Sequence, residues 1–382
     1  MMHFFPSLDA PALAALLAQW KARSPAMGVF ALLAEADRAQ APALQAVCAS
    51  LHIPLLGSIF PALIVDTGFA VNGVWLLGLP SMPYHLLVDQ LPTERAATEQ
   101  AVARMTQALR AQLDDTPEVT LFMVFDAMVP NISSMLDEFY LQLANRVHYV
   151  GCNAGSETFQ PMPCLFDSER IVHNGVLLML LKSHQGAVLE HGYHAPGKTV
   201  YATSTHGNCI SQIDWRPAFE VYQELVQQHY QVQITRDNFY QHAVHFPFGI
   251  VRANHHVLVR IPVALGDDDA LFCVGEVPAN ALLTLLEAPT VDSDETLQVV
   301  TDGLTLLNGN PADTELLLFY CAGRRMHLGV DAATNELDRF AQLTNARQTA
   351  GALSLGEIGG STRSGYPLFH NATLVAASWL PA

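Results

Sequence analysis

Arg324, in Cys-Ala-Gly-Arg, and Glu357, in Leu-Gly-Glu-Ile-Gly-Gly, each follow an apolar run and sit in glycine-rich sequence. A guanidinium can hold a carboxylate through two parallel charge-assisted hydrogen bonds, and a carboxylate can accept from an amine. The backbone N–H groups from Gly356 onward supply further donors. Both signs of charge together suit an amino-acid-like zwitterion better than a phosphate or a sugar. Cys152 and Asn153 in Gly-Cys-Asn, with the turn carrying His191 and His194, are expected to face this pair from the first half of the chain. Asn371 opens the last strand beside it. A simpler alternative is an Arg324–Glu357 salt bridge that ties the last strand to its sheet.

Cys321 lies beside Arg324 and Arg325, where a thiol can ionise and act as a nucleophile. A buried, inert cysteine at a strand end is the plainer account. His191-x-x-His194 and His242-x-x-His245 have the spacing of paired metal ligands. Neither has a Glu or Cys set nearby, so no metal is expected, and His255-His256 reads as a solvated hairpin turn. No G-x-G-x-x-G, Walker A or G-x-S-x-G run occurs, which removes nucleotide binding and the serine-hydrolase elbow.

The elements that must position these residues repeat. Leu-Leu-Gly-Ser at 55–58 leads through a loop to Asn72 and an apolar strand, and Tyr-Val-Gly-Cys at 149–152 leads to Asn174 and another. The stretch ending at Gly356 leads through a loop with Ser361, Thr362 and Arg363 to Asn371 and a third. An apolar strand and a helix precede each, at 28–51, 119–147 and 315–349. Short connections between strand, helix and strand predict parallel pairs with right-handed crossovers. The expected fold is α/β, with two domains and repeated β-α-β-β units forming mixed sheets flanked by helices. Gly57, Gly151 and Gly356 are read as equivalent strand ends. Ligands of such sheets bind beyond the carboxyl ends of the strands. The helix start at Asp214-Trp215-Arg216-Pro217 places the boundary, giving domains 1–213 and 214–382. Residues 248–277 read as antiparallel hairpins, and 279–286 and 292–307 as helices.

Half of the 382 residues are hydrophobic and 14% are charged, which implies a large buried core. The net charge of −17 repels nucleic acid and anionic membrane surfaces. No apolar run reaches the length of a membrane span, so no membrane insertion is expected. The first residues lack the basic region of a signal peptide, and the six cysteines form no C-x-x-C pair. A reduced, cytoplasmic protein is the expectation.

Cys321-x-Gly-Arg324, Gly356-Glu357-Ile358 and Phe369-His370-Asn371-x-Thr373 resemble the C-terminal module of FIST (F-box and intracellular signal transduction) proteins. Gly151-Cys152-Asn153-Ala154-Gly155, His191-Gly192-Tyr193 with Gly197, and Ile213-Asp214-x-x-Pro217-Ala218 resemble the N-terminal module and its junction. The resemblance covers nearly the whole chain. It implies a non-catalytic bacterial sensor of a small molecule, such as an amino acid, that signals to a histidine kinase, a diguanylate cyclase or phosphodiesterase, or a chemoreceptor. No transmitter, kinase or cyclase segment is left over, so the partner is expected to be separate. Some FIST-like proteins are haem-based nitric oxide sensors with His-Phe-x-Pro-x-Gly, Gly-Glu-Gln and Asn-Gln-Thr runs. This chain has Gly192-Tyr193, Ile358 and Ala372 at those points, with His191 and His194 on either side of the expected ligand. The alternatives to a non-catalytic sensor without a cofactor are therefore a haem-based gas sensor using His191 or His194, and an enzyme using Cys321 with Glu357 or a histidine.

Overall fold

A computed structural model describes residues 1–113, 118–252, 257–289, 294–312, 314–360 and 365–379. His255 and His256, and the loop residues Ser361, Thr362 and Arg363, lie outside them.

Three β-α-β-β units recur as expected. In unit I the strand Gly28–Ala34 runs parallel to Leu55–Phe60 and antiparallel to Val74–Leu79. In unit II the same places are taken by Val119–Asp126, His148–Ala154 and Val176–Lys182. In unit III they are taken by Glu315–Cys321, Gln348–Ser354 and Leu374–Ser378. The first strand of each unit is central and nearly continuously apolar, as a strand buried on both faces must be. Inner faces meet in one core, where the Phe30 and Phe122 rings lie 5.7 Å apart and Phe122 and Phe319 6.1 Å apart. Outer faces bury against helices, with Met123 and Phe125 on Leu136 and Phe139, and Leu318 and Tyr320 on Leu337 and Phe340.

Each unit carries a hairpin between its second and third strands, and each hairpin completes a different unit's sheet. Leu165–Asp167 of unit II pairs with Leu55–Phe60 of unit I. Glu357–Gly360 of unit III pairs with His148–Ala154 of unit II. Leu63–Val65 of unit I pairs with Gln348–Ser354 of unit III. The exchange is cyclic. On the far side, Met2–Phe5, His85–Val88 and Val188–Glu190 pair with the third strands of units I, II and III.

Between Val188–Glu190 and the body of unit III the chain builds a fourth, wholly antiparallel sheet, with strands from Thr199–His206 through Leu282–Leu285, covered by the helix Ala218–Tyr230. Thr199–His206 and Cys209–Ile213 belong to this inserted sheet. Hydrogen-bonded sheets therefore cross the expected 213/214 division in both directions. Residues 279–286 were expected to be helical. They contain the strand Leu282–Leu285, because the run Leu-Leu-Thr-Leu fits either periodicity and two open sheet edges, Phe248–Val251 and Thr199–His206, take its backbone groups.

The repeated glycine also needs correction. Gly57 and Gly151 lie inside their second strands, opposite Ala31 and Met123, and the register-equivalent residue of unit III is Gly351 opposite Leu318, not Gly356. A Cβ would lie 2.8 Å from the Ala31 oxygen at the first position, and 2.1 Å from the Met123 and Leu318 oxygens at the other two. We expect Gly351→Ala to destabilise by about 3 kcal/mol or more, because both clashing groups are strand backbone. Gly68→Ala, where a Cβ meets open space, should stay within about 0.5 kcal/mol of the parent in the same urea titration.

Candidate functional site

Glu357 begins a strand of the unit III hairpin and is fully buried. Ser354 Oγ donates to its Oε1 at 2.5 Å and Thr373 Oγ1 to its Oε2 at 2.5 Å, with the Cys321 thiol beside it. Burial outweighs these bonds and raises its pKa from 4.5 to about 7. Cys321 ends the first strand of unit III. Its sulfur accepts from the Ala372 N–H at 3.0 Å, and burial pushes the thiol up, which keeps it protonated. Cys152 stands opposite Glu357 in the exchanged pairing, buried and with its thiol well above the ordinary range for the same reason.

Asn153 and Gly356 are joined through the backbone, Asn153 N–H to Gly356 O at 2.8 Å. Gly356 has φ of +151°, and a Cβ there would lie 2.4 Å from the Phe369 ring, so glycine is required. Asn371 is 1% exposed. Its Nδ2 donates to the His370 carbonyl, and its Oδ1, like that of Asn153, has no hydrogen-bond partner among the described residues. Six of the expected residues, Cys152, Asn153, Cys321, Gly356, Glu357 and Asn371, thus form one polar cluster where units II and III meet.

Arg324 is placed differently. It lies in the short helix Ala322–Leu328 rather than in a turn, and is 1% exposed. Nε and Nη2 donate to the Glu336 carboxylate at 2.8 and 2.6 Å, while Nη1 donates to the carbonyls of His191 and Ala372. Tyr320 OH adds a third bond to Glu336 at 2.6 Å. The carboxylate that Arg324 holds is Glu336, twelve residues on and in the next helix, and neither a ligand nor Glu357.

The two histidines are also committed or remote. His191 Nε2 donates to Val257 O at 3.0 Å and Nδ1 accepts from the Tyr193 N–H at 2.9 Å, an arrangement that fixes the neutral ring; burial lowers its pKa. Haem ligation through His191 would require breaking one of these backbone bonds. His194 is exposed, its backbone bridged to Glu287. Among the described residues no group of three or more His, Cys, Asp or Glu side chains is placed to hold a metal ion.

Over the polar cluster lies a cavity of about 290 Å³ between units II and III on one side and the inserted domain on the other. Cys321, Asn371 and Gly323 form its floor, Ile261, Val263 and Val274 its roof, and Glu157 and Phe159 a side. Of the expected residues Cys321 and Asn371 reach this cavity, and Glu357, Gly356, Cys152 and Asn153 stand behind it. Glu157 was not foreseen. Its carboxylate receives two 2.8 Å bonds from Arg325 Nη2. Adjacent arginines at 324 and 325 do demand two acceptors, but no sequence pattern says which.

The model of the FIST N domain matches residues 27–216, and that of the FIST C domain residues 218–360. The chain belongs to the FIST family. No curated protein matches it. FIST domains are sensory domains of signal transduction, and the FIST C match runs from the helix Ala218–Tyr230 through the later strands of the inserted sheet into unit III, ending before its third strand. Among the described residues no helix of this FIST protein is long and apolar enough to cross a membrane.

Two substitutions separate the roles of Arg324 and Glu357. Arg324→Ala leaves Glu336 charged and unpaired and should destabilise by about 3–5 kcal/mol in urea unfolding. For Glu357 the raised folded pKa means that its stability contribution is present below about pH 4.5 and is lost as pH rises through about 7. A permanently neutral Glu357→Gln should therefore gain about 3 kcal/mol relative to the parent between about pH 4.5 and pH 8. A difference that stays constant across that range would mean Glu357 is ionised throughout.

Proposed function

We propose that this FIST protein is a non-catalytic sensor that takes a small, amino-acid-like amine with an apolar body into the cavity over Cys321 and Asn371, and signals to a separate partner. The observation that carries the reading is Asn371, which lines the cavity and whose Oδ1 is buried with no partner among the described residues. A buried acceptor left unpaired is unfavourable by about 1–3 kcal/mol, and a ligand donor relieves that. Glu157, whose carboxylate takes two bonds from Arg325 but keeps further lone pairs, is a second acceptor at the same cavity, so the polar end of the ligand is a donor, while Phe159, Ile261, Val263 and Val274 suit an apolar remainder. Arg324 takes no part, since its guanidinium already holds Glu336.

A cavity that closes between two parts of one chain also offers a route to output: a ligand that bridges them changes the free energy of holding them together. A histidine kinase, a cyclic-dinucleotide enzyme or a chemoreceptor is the kind of partner such a sensor serves. The Cys321 thiol, protonated by burial, favours binding over nucleophilic chemistry.

A thermal-shift screen of hydrophobic amines, amino acids and their amides tests this. A ligand at a hundred times its dissociation constant adds about 2.7 kcal/mol of stability. Val263→Phe, which fills the roof, and Asn371→Ala should each abolish that shift while the unliganded protein still unfolds cooperatively. Hits that stabilise both variants as well as the parent would place the ligand elsewhere and sink the proposal.

A further inference from the structure

A second cleft, of about 440 Å³, opens between the start of the helix Ile132–Leu143 and the inserted domain. It contains an unusual cation. Arg260 is 2% exposed, and donates through Nε to Glu276 O at 2.9 Å and through Nη1 to the carbonyls of Val259 and Phe369 at 3.0 Å. All three acceptors are neutral carbonyls. Among the described residues no carboxylate lies within ion-pair distance of Arg260, and its Nη2 has no hydrogen-bond partner. Burial draws its pKa down to about 10; the neighbouring Cys273 and Glu276 side chains partly offset this, and the charge of Arg252, on the same cleft, adds to it. A guanidinium stays charged even so, and a buried cation with no carboxylate in direct contact is a standing demand for an anion.

The cleft wall supplies the rest of an anion site. The N-cap residue Asn131 places no side chain on the helix start, and Ser133 Oγ is buried with no partner among the described residues. The fold has already put one carboxylate at this helix start. Glu276 accepts from Ser134 N–H at 2.9 Å and from Ser134 Oγ at 2.6 Å. Asp137, also on the cleft, accepts from Tyr366 OH at 2.6 Å. These two resident carboxylates limit how much further negative charge the cleft tolerates. They favour a monoanion over a phosphate dianion.

We propose that this cleft is a second ligand site, which takes a small organic monocarboxylate against Arg260 Nη2, with Arg252 at the rim and Glu276 as the competing carboxylate of the fold itself. It is independent of the cavity over Cys321: the two share no lining residue that contacts ligand in either reading.

The test uses the full chain with sodium propionate against sodium chloride at equal ionic strength, followed by thermal unfolding and titration calorimetry. Propionate should raise the midpoint saturably where chloride does not. Arg252→Gln, at an exposed position, should weaken propionate binding at least about threefold, and Arg260→Lys at least about tenfold. Glu276→Gln, which removes a like charge, should tighten it. Because Arg260→Lys changes a buried group and risks misfolding, the Arg252 and Glu276 variants decide the matter alone. Asn371→Ala should leave the propionate response intact, which separates this site from the amine cavity. Equal responses to propionate and chloride, or a propionate response unchanged by both Arg252→Gln and Glu276→Gln, overturn the proposal. A larger response to inorganic phosphate overturns its assignment to carboxylates.

Discussion

A strand in the interior of a sheet needs backbone partners on both edges, and the second strand of each unit finds one of them outside its own unit. Leu55–Phe60, His148–Ala154 and Gln348–Ser354 are each completed by a hairpin borrowed from another unit. Buried N–H and C=O groups left unpaired would be too unfavourable for any unit to stand alone. The cyclic exchange thus makes the three units one cooperative body even though the chain inserts a whole antiparallel sheet before the third. Gly57, Gly151 and Gly351 belong to the same constraint. They let each second strand lie against the first so closely that the carbonyl opposite occupies the space of a Cβ.

The exchange is also what assembles the site. Glu357 reaches Cys152 because it sits on the borrowed strand. In each unit an acceptor near the end of the first strand ties the turn before the third. Asp37 takes the Gly73 N–H and Asp126 the Asn174 N–H, both at 2.6 Å, whereas in unit III the Cys321 sulfur takes the Ala372 N–H at 3.0 Å. Two units use a carboxylate and the third a thiol, with its carboxylate, Glu357, moved one strand over and fully buried. The cavity opens where the repeat departs from itself, a reasonable place for function on a scaffold whose regular parts are committed to packing.

Charge follows the same division. The chain is strongly acidic overall, yet two of its arginines are almost wholly buried, and they differ in kind. Arg324 has a bidentate carboxylate and two carbonyls and acts as a tie between a helix and two turns. Arg260 has three carbonyls and the face of the Phe369 ring, and no carboxylate in contact. An equal degree of burial means a finished structural contact in one case and an open electrostatic demand in the other.

Apolar runs punctuated by glycine and resumed after asparagine were enough to read the α/β class and the three units, because strand length, helix period and turn chemistry are local properties of the chain, whereas the family came from the resemblance of motifs such as Gly356-Glu357-Ile358. The membership of the polar cluster was largely legible too, since strand ends of a repeated unit converge. The partners were not. Whether Arg324 meets Glu357 or Glu336 depends on a helix packing angle, and whether residues 282–285 are helix or strand depends on two sheet edges contributed from distant sequence. The hairpin exchange, the glycine at 351 and the pairing of Arg325 with Glu157 are all contacts between residues far apart in the chain. Such contacts carry no periodicity, so tertiary structure alone decided them: burial makes each polar group find a partner, and only the packed geometry determines which one is within reach.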